Sequence, residues 1–198
     1  MLVIGLCGGS GSGKSTVAGL LKAHNILHVD TDSIYRSLIS SPSECTKELT
    51  DEFGVSIINT DGSINRPGLA EIVFNDKNKH TALNRIAHKH VLNVVREIIS
   101  SSSECLAVCV DAPMLFESGF DKECDIIVAV TAPLEDRIDR IIKRDNITRE
   151  AAIKRINSQL TDRELESKVD FVIKNENNTS MLASNIDELV DFINNKLK

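Results

Sequence analysis

The sequence predicts an α/β protein built on a doubly wound, five-stranded parallel sheet. Three features carry that prediction: five short runs rich in Val and Ile, helical periodicity between or after them, and a glycine-rich turn joining the first run to a helix. At 198 residues the chain is long enough for one domain with a full hydrophobic interior, or a core carrying one or two insertions.

The runs are Leu2 to Leu6, Ile26 to Val29, Leu106 to Val110, Ile126 to Val130 and Phe171 to Ile173. Nearly continuous apolar character is what strands covered on both faces require. The C-terminal helix is the clearest, with Leu182, Ile186, Leu189, Ile193 and Leu197 on one stripe. The alternation breaks twice. Residues 36–103 hold polar connectors, the turn NTDGSINRPG, and a helix whose Leu83, Ala87, Val91, Val94 and Ile98 recur every three or four positions. Residues 133–168 are dense in arginine, and TDRE at 161–164 has capping-box spacing, so a helix is expected after Thr161. The expected organisation is a core of residues 1–35, 104–132 and 169–198, a helical insertion at 36–103 and a helical lid at 133–168.

Composition narrows the function class. A 41% hydrophobic, 26% charged chain is globular, and runs such as LAVCV and DIIVAV fall far short of the roughly 20 residues of a membrane span. The chain opens directly on strand-like sequence with no secretory pattern, which makes the cytoplasm the expected location. The net charge of −6 argues against nucleic acid as a partner and leaves any phosphate binding to local features. Cys7, Cys45, Cys105, Cys109 and Cys124 form no CxxC pair and read as reduced thiols, mostly in the core. Cys105 and Cys109 are expected on one face of a strand, but no second ligand pair accompanies them to make a zinc site. The five histidines show no metal-ligand spacing.

Gly8, Gly13, Lys14 and Ser15 complete the pattern G-x-x-x-x-G-K-[ST] between a strand and a helix. In this P-loop, the backbone from Gly8 through Gly9, Ser10, Gly11, Ser12 and Gly13 to Thr16 curls so that N–H groups face an anion. The helix that follows adds the positive end of its dipole. Lys14 reaches the outer phosphates and the Ser15 hydroxyl takes Mg²⁺, which makes ATP with Mg²⁺ the expected donor. Asp111 ends LAVCVD at the same sheet edge, where an acid holds Mg²⁺ directly or through water; the competing reading is a carboxylate that caps the next turn.

HVDTDSIYR ends the second strand with Asp30 and Asp32, which share one side if strand geometry persists through Thr31. Each has two readings: a helix N-cap, or a group that orients a hydroxyl nucleophile or accepts its proton. Arg137, Arg140 and Arg144 stand at i, i+3, i+7. They form either a solvated face stitched by pairs such as Asp136 with Arg140, or a lid that lowers guanidinium groups onto a transferring phosphoryl group. The residues alone are compatible with any small P-loop kinase acting on a nucleoside, nucleotide or sugar. A GTP-dependent switch would need N-K-x-D after a later strand, and the chain reads TAPLED there.

The motif set resembles one family, the dephospho-coenzyme A kinases. The matching segments are GLCGGSGSGKSTVA, VDTDSIYR, FGVSII with DGSINRPGLAEIVF, LNRIAH, DAPMLFESG, RIIKRDNIT, RINSQ and VDFVIKNENN. They span almost the whole chain in the family's order. The resemblance implies transfer of the ATP γ-phosphoryl group to the ribose 3′-hydroxyl of dephospho-coenzyme A, the last step of coenzyme A synthesis, by a protein expected to act as a monomer. It implies that Asp32 is the catalytic base or hydroxyl-orienting group, that Arg144 is a lid arginine, and that Arg140 is its companion. It also implies that the helical insertion binds the acceptor, with Arg36, Asn65, Arg66, Leu83, Asn84 and His88 near it and Asp111 near metal or acceptor. Four residues depart from the family pattern: Ser10 for an apolar residue, Thr31 for Ala, Lys89 for Pro, and Arg137 for Gln.

Overall fold

The structure, a computed structural model, describes every residue except Asn75, Asn177 and Lys198. In chain order its regular elements are β1 (Leu2–Cys7), α1 (Lys14–Leu21), β2 (Ile26–Asp30), α2 (Thr31–Ile39), α3 (Glu44–Phe53), α4 (Arg66–Phe74), α5 (Lys77–Ser101) and β3 (Ala107–Asp111). They continue with β4 (Ile126–Thr131), α6 (Leu134–Asp145), α7 (Arg149–Asn157), α8 (Asp162–Glu166), β5 (Phe171–Lys174) and α9 (Thr179–Lys196). The chain divides into two compact units, Met1–Val29 with Ser102–Lys198, and Asp30–Ser101.

In the first unit the sheet runs in the order β2-β3-β1-β4-β5. β1 lies parallel to β3 on one side and β4 on the other, and β4 lies parallel to β5. The reversal of strand order beside β1 leaves a crevice at the carboxyl ends of the strands, where such sheets bind ligands. Register places Leu6 opposite Asp111, so Asp111 leaves the sheet at the level where the glycine turn begins. β1 and β3 are buried because both faces are covered. α1 (Val17, Ala18, Leu21) and α9 (Leu182, Ile186, Leu189, Ile193) pack with Ile4, Leu6, Val128, Val130 and Ile173 in one core. Each of the Val, Leu and Ile side chains among them is worth about 1.5–3 kcal/mol of transfer free energy. α6 and α7 close on a smaller cluster of their own, Ile138, Ile141, Ala152 and Ile156.

All five strands lie within a residue or so of the positions their apolar runs predict. Two sequence expectations shift. β3 begins at Ala107, and the Cys105 N–H turns back onto the Ser102 carbonyl at 3.2 Å, which leaves Cys105 in a turn and off the strand face. The stripe on α9 ends at Ile193, since Leu197 is the C-cap and stands 42% exposed.

The second unit is helical. α2, α3 and α4 all pack on the long helix α5, around Ile39, Cys45, Leu49, Ile57, Ile64, Leu69, Val73 and Ile86. Ser43 and Thr46 form a reciprocal capping box at the start of α3, satisfying two orphan donors there. α5 runs unbroken through Lys89. Its fully covered positions are Ile86, Val91, Leu92 and Val95, broader than the single stripe expected, because three helices approach it. Among the described residues no helix is long and apolar enough to cross a membrane.

Candidate active site

The turn after β1 is built from backbone held on its outer side. Arg137 Nε donates to the Ser10 carbonyl at 3.0 Å. Arg140 Nη1 donates to the Gly11 carbonyl at 2.9 Å and to the Ser12 carbonyl at 3.2 Å, and Asn175 Nδ2 donates to the same Ser12 oxygen at 2.8 Å. Three consecutive carbonyls are thus tied to α6 and to the residue that follows β5. Because a peptide is planar and trans, the Gly11 and Gly13 N–H groups, across the Ser10 and Ser12 carbonyls, point the opposite way, toward the hollow of the turn. The Ser12 N–H closes a local turn onto the Gly9 carbonyl at 3.1 Å.

Two of the glycines are demanded by this packing as well as by the fold of the turn. Gly11 (φ 78°) lies against the backbone of Arg137, and Gly13 (φ 97°) lies against Asn175 Nδ2, where a Cβ would overlap the amide. Gly13 is also the N-cap of α1 and brings no side chain to it, so the helix presents its first-turn N–H groups to whatever occupies the hollow. Lys14 Nζ folds back onto the Gly8 carbonyl at 3.0 Å, while Ser15 and Thr16 are exposed on the first turn. Ser12 Oγ is buried and has no hydrogen-bond partner among the described residues. A hydroxyl left in that condition inside an anion cradle fits a phosphate ligand.

Cavities flank the turn at its two ends. One, of about 440 Å³, is lined by Cys7, Gly8, Gly9, Met114, Glu117 and Gln159 among others. A smaller one, of about 240 Å³, is lined by Gly13, Thr16, Arg140, Asn175, Asn178 and Thr179. Burial pushes the Cys7 thiol up to about 12, against the pull of Lys14, so it sits beside the turn as a neutral packing group. At the neighbouring strand ends, His28 Nε2 lies 3.9 Å from Asp111 Oδ2, and both side chains are largely covered.

Of the arginines assigned to a lid, Arg144 is exposed and forms a two-pronged pair with Asp145 at 2.8 and 2.9 Å. Arg155 on α7 binds the same carboxylate. Hydrogen bonding from Arg144 leads the causes that hold Asp145 at about 2. Arg137 differs from both readings of its helix face: it is 4% exposed and belongs to the wall behind the turn. α6 turns this edge inward because Ile138 and Ile141 beside it are buried.

In the helical unit, α2 starts at Thr31, so that Asp30 and not Asp32 takes the cap position. Asp30 is its N-cap, accepting from the Asp32 and Ser33 N–H groups at 2.9 and 3.2 Å and from Ser33 Oγ at 2.8 Å. Asp32 therefore stands inside the first helical turn with an exposed carboxylate, and shares a helix face with Arg36 four residues on. Arg66 opens α4 and is exposed. Asn84 and His88 share one face of α5, and Asn84 Nδ2 lies 3.4 Å from His80 Nδ1.

Sequence reasoning missed three contributors to the turn: Asn175, Gln159, whose Oε1 accepts from the Ser10 N–H at 2.8 Å, and Asp162, whose Oδ1 accepts from Arg137 Nη1 at 3.0 Å. Asn175 sits in the quoted segment VDFVIKNENN, and its place one residue past a strand end was the available signal. Gln159 closes the quoted segment RINSQ and Asp162 lies in the capping-box stretch TDRE, but neither pattern says that these side chains reach toward the turn.

Comparison with known proteins agrees with this geometry. The dephospho-CoA kinase family model matches residues 2–181. A dephospho-CoA kinase of Fusobacterium nucleatum is 39% identical over 193 residues, covering 98% of this chain and 99% of that protein. Among solved structures, TT1252 from Thermus thermophilus superposes with a TM-score of 0.82 at 27% identity, covering 100% of this chain and 98% of the other. A dephospho-CoA kinase from Campylobacter jejuni gives 0.70 at 25% identity, covering 99% and 98%. With the glycine turn, its carbonyl wall and the acid-bearing strand ends all set within a match of this extent, the chain belongs to the dephospho-CoA kinase family.

Proposed function

We propose that this protein transfers the γ-phosphoryl group of ATP to the ribose 3′-hydroxyl of dephospho-coenzyme A, yielding coenzyme A and ADP. The observation that carries the reading is the P-loop itself, a cradle whose carbonyls are tied outward and whose unpartnered Ser12 hydroxyl is buried inside it. Family membership selects this acceptor over a nucleoside, nucleotide or sugar.

The backbone from Gly8 to Thr16 binds the donor phosphates, and Lys14 leaves the Gly8 carbonyl for the outer phosphates. Arg140 lines the smaller cavity beside Gly13 and Thr16, which suits the nucleoside end of the donor. The cavity at Gly8 and Gly9 lies at the opposite end of the turn and suits the acceptor side. Two hard oxygen donors are offered to the ion: the Asp111 carboxylate, at the end of the sheet where the turn begins, and the Ser15 hydroxyl, exposed on the first turn of α1. That set fits Mg²⁺, which keeps water and phosphate ligands and needs only one or two protein oxygens. When bound, the ion neutralises charge on the β- and γ-phosphate oxygens.

Asp32 holds the acceptor hydroxyl and receives its proton as the new phosphate ester forms. Asp30 is spent on the helix cap, which leaves Asp32 as the carboxylate of the pair with exposed oxygens. Arg144 exchanges Asp145 for the transferring phosphoryl group, where its charge counts most in the transition state. Arg36, Arg66, Asn84 and His88 bind the acceptor within the helical insertion. We place the protein in the cytoplasm, acting as a monomer without nucleic acid. The test is ADP formation with dephospho-coenzyme A against adenosine and simple nucleosides. Acceptor-dependent turnover with the first is expected, and a clear preference for a nucleoside would overturn the assignment.

A further inference from the structure

The tip of the P-loop is gripped on both sides of Ser10. Its N–H donates to Gln159 Oε1 at 2.8 Å, and its carbonyl accepts from Arg137 Nε at 3.0 Å. Arg137 Nη1 in turn donates to Asp162 Oδ1 at 3.0 Å. Both grips therefore lead to one stretch of chain, from Gln159 to the first residue of α8. Arg137 is 4% exposed, lies against Gly9, and has an Nη2 with no hydrogen-bond partner among the described residues. Burying a guanidinium with an unsatisfied nitrogen is costly, and an apolar side chain of the same volume would hold this helix at no such cost. Its retention points to what it holds.

We propose that Arg137 is a positioning residue for donor binding, a strut that fixes the Ser10–Gly11 peptide with Asp162 as its anchor. By planarity, the carbonyl it holds outward keeps the Gly11 N–H turned into the phosphate hollow. Without the strut this peptide rotates, and the cradle must be re-ordered each time a nucleotide binds. The cost then appears in affinity for the donor, since the strut touches neither acceptor nor transferring group.

The inference rests on the P-loop's binding ATP, and the experiment separates the two. Calorimetry with a non-hydrolysable ATP analogue and Mg²⁺ is run on the wild type, Arg137→Met, Asp162→Ala and the double variant, alongside steady-state kinetics and thermal melts. Loss of one charge-assisted hydrogen bond predicts a Kd about tenfold weaker in Arg137→Met. The KM for ATP should rise in parallel, with kcat and the acceptor KM nearly unchanged. Asp162→Ala should weaken binding by a smaller factor and add nothing to the loss in the double variant, because both act through one peptide. A lowered melting temperature with unchanged Kd, or losses that multiply, would overturn the strut. If Arg137→Met does not fold, an unchanged Kd in Asp162→Ala overturns it alone. A wild type that binds no nucleotide would overturn the P-loop reading as well.

Discussion

Asn175 Nδ2 reaches across 163 residues of sequence to bond the Ser12 carbonyl at 2.8 Å, joining the end of the last strand to the turn after the first. Both partners are buried. Asn175→Ala is therefore expected to remove the shorter of the two hydrogen bonds on this carbonyl and leave only Arg140 Nη1 at 3.2 Å, at a cost of about 0.5–1.5 kcal/mol in stability. Denaturant unfolding measures that cost, and a midpoint equal to wild type would remove Asn175 from the site.

The same contact makes Gly13 intolerant of a side chain. Gly13→Ala places a methyl on Asn175 and forces an L-residue into left-handed backbone, the second effect alone costing roughly 1–2 kcal/mol. Binding of Mg²⁺·ADP by calorimetry should be lost or severely weakened. In the Asn175→Ala background the overlap is relieved while the φ strain stays, so binding should recover only in part.

The two aspartates of α2 should separate cleanly. Asp32→Asn is expected to lower kcat by about a hundredfold to ten-thousandfold with the KM for ATP little changed. Asp30→Ala should instead cost about 0.5–2 kcal/mol of stability through the lost cap. Turnover near wild type in Asp32→Asn would end its assignment as the hydroxyl-orienting group.

Asp145 gives a pH signature. Its carboxyl, held at about 2 by Arg144 and Arg155 against an ordinary 3.8, contributes stability that is present above 3.8 and lost as pH falls through 2. The melting temperature of Asp145→Asn should therefore lie below wild type at pH 5 and converge with it between pH 4 and 2. A difference constant over that range would place the effect elsewhere than in the charge.

The strands were legible because burial on two faces forces an apolar run, and a run such as Ile126 to Val130 needs no tertiary information to be read. The P-loop was legible for a related reason: phosphate binding by backbone demands glycine and lysine at fixed spacing. What lay beyond the sequence was the wall behind the loop. Arg137 and Arg144 belong to one helix and look alike in composition, yet one is buried against Ser10 and the other pairs with Asp145 in solvent. Only the docking of α6 decides between them. The residues alone likewise gave Asp30 and Asp32 the same two readings, and only the resemblance singled out Asp32, until the first turn of α2 showed Asp30 as its cap.

The wall behind the P-loop also bears on synthesis. The loop is complete once the first 16 residues exist, but its carbonyls wait for Arg137, Arg140 and finally Asn175. A ribosome releasing this chain from its N-terminus makes the nucleotide cradle first and furnishes its last support near the end. The cradle is thus local in sequence but not in its support, since any segment that stops before Asn175 lacks the donor that the last strand brings to the Ser12 carbonyl.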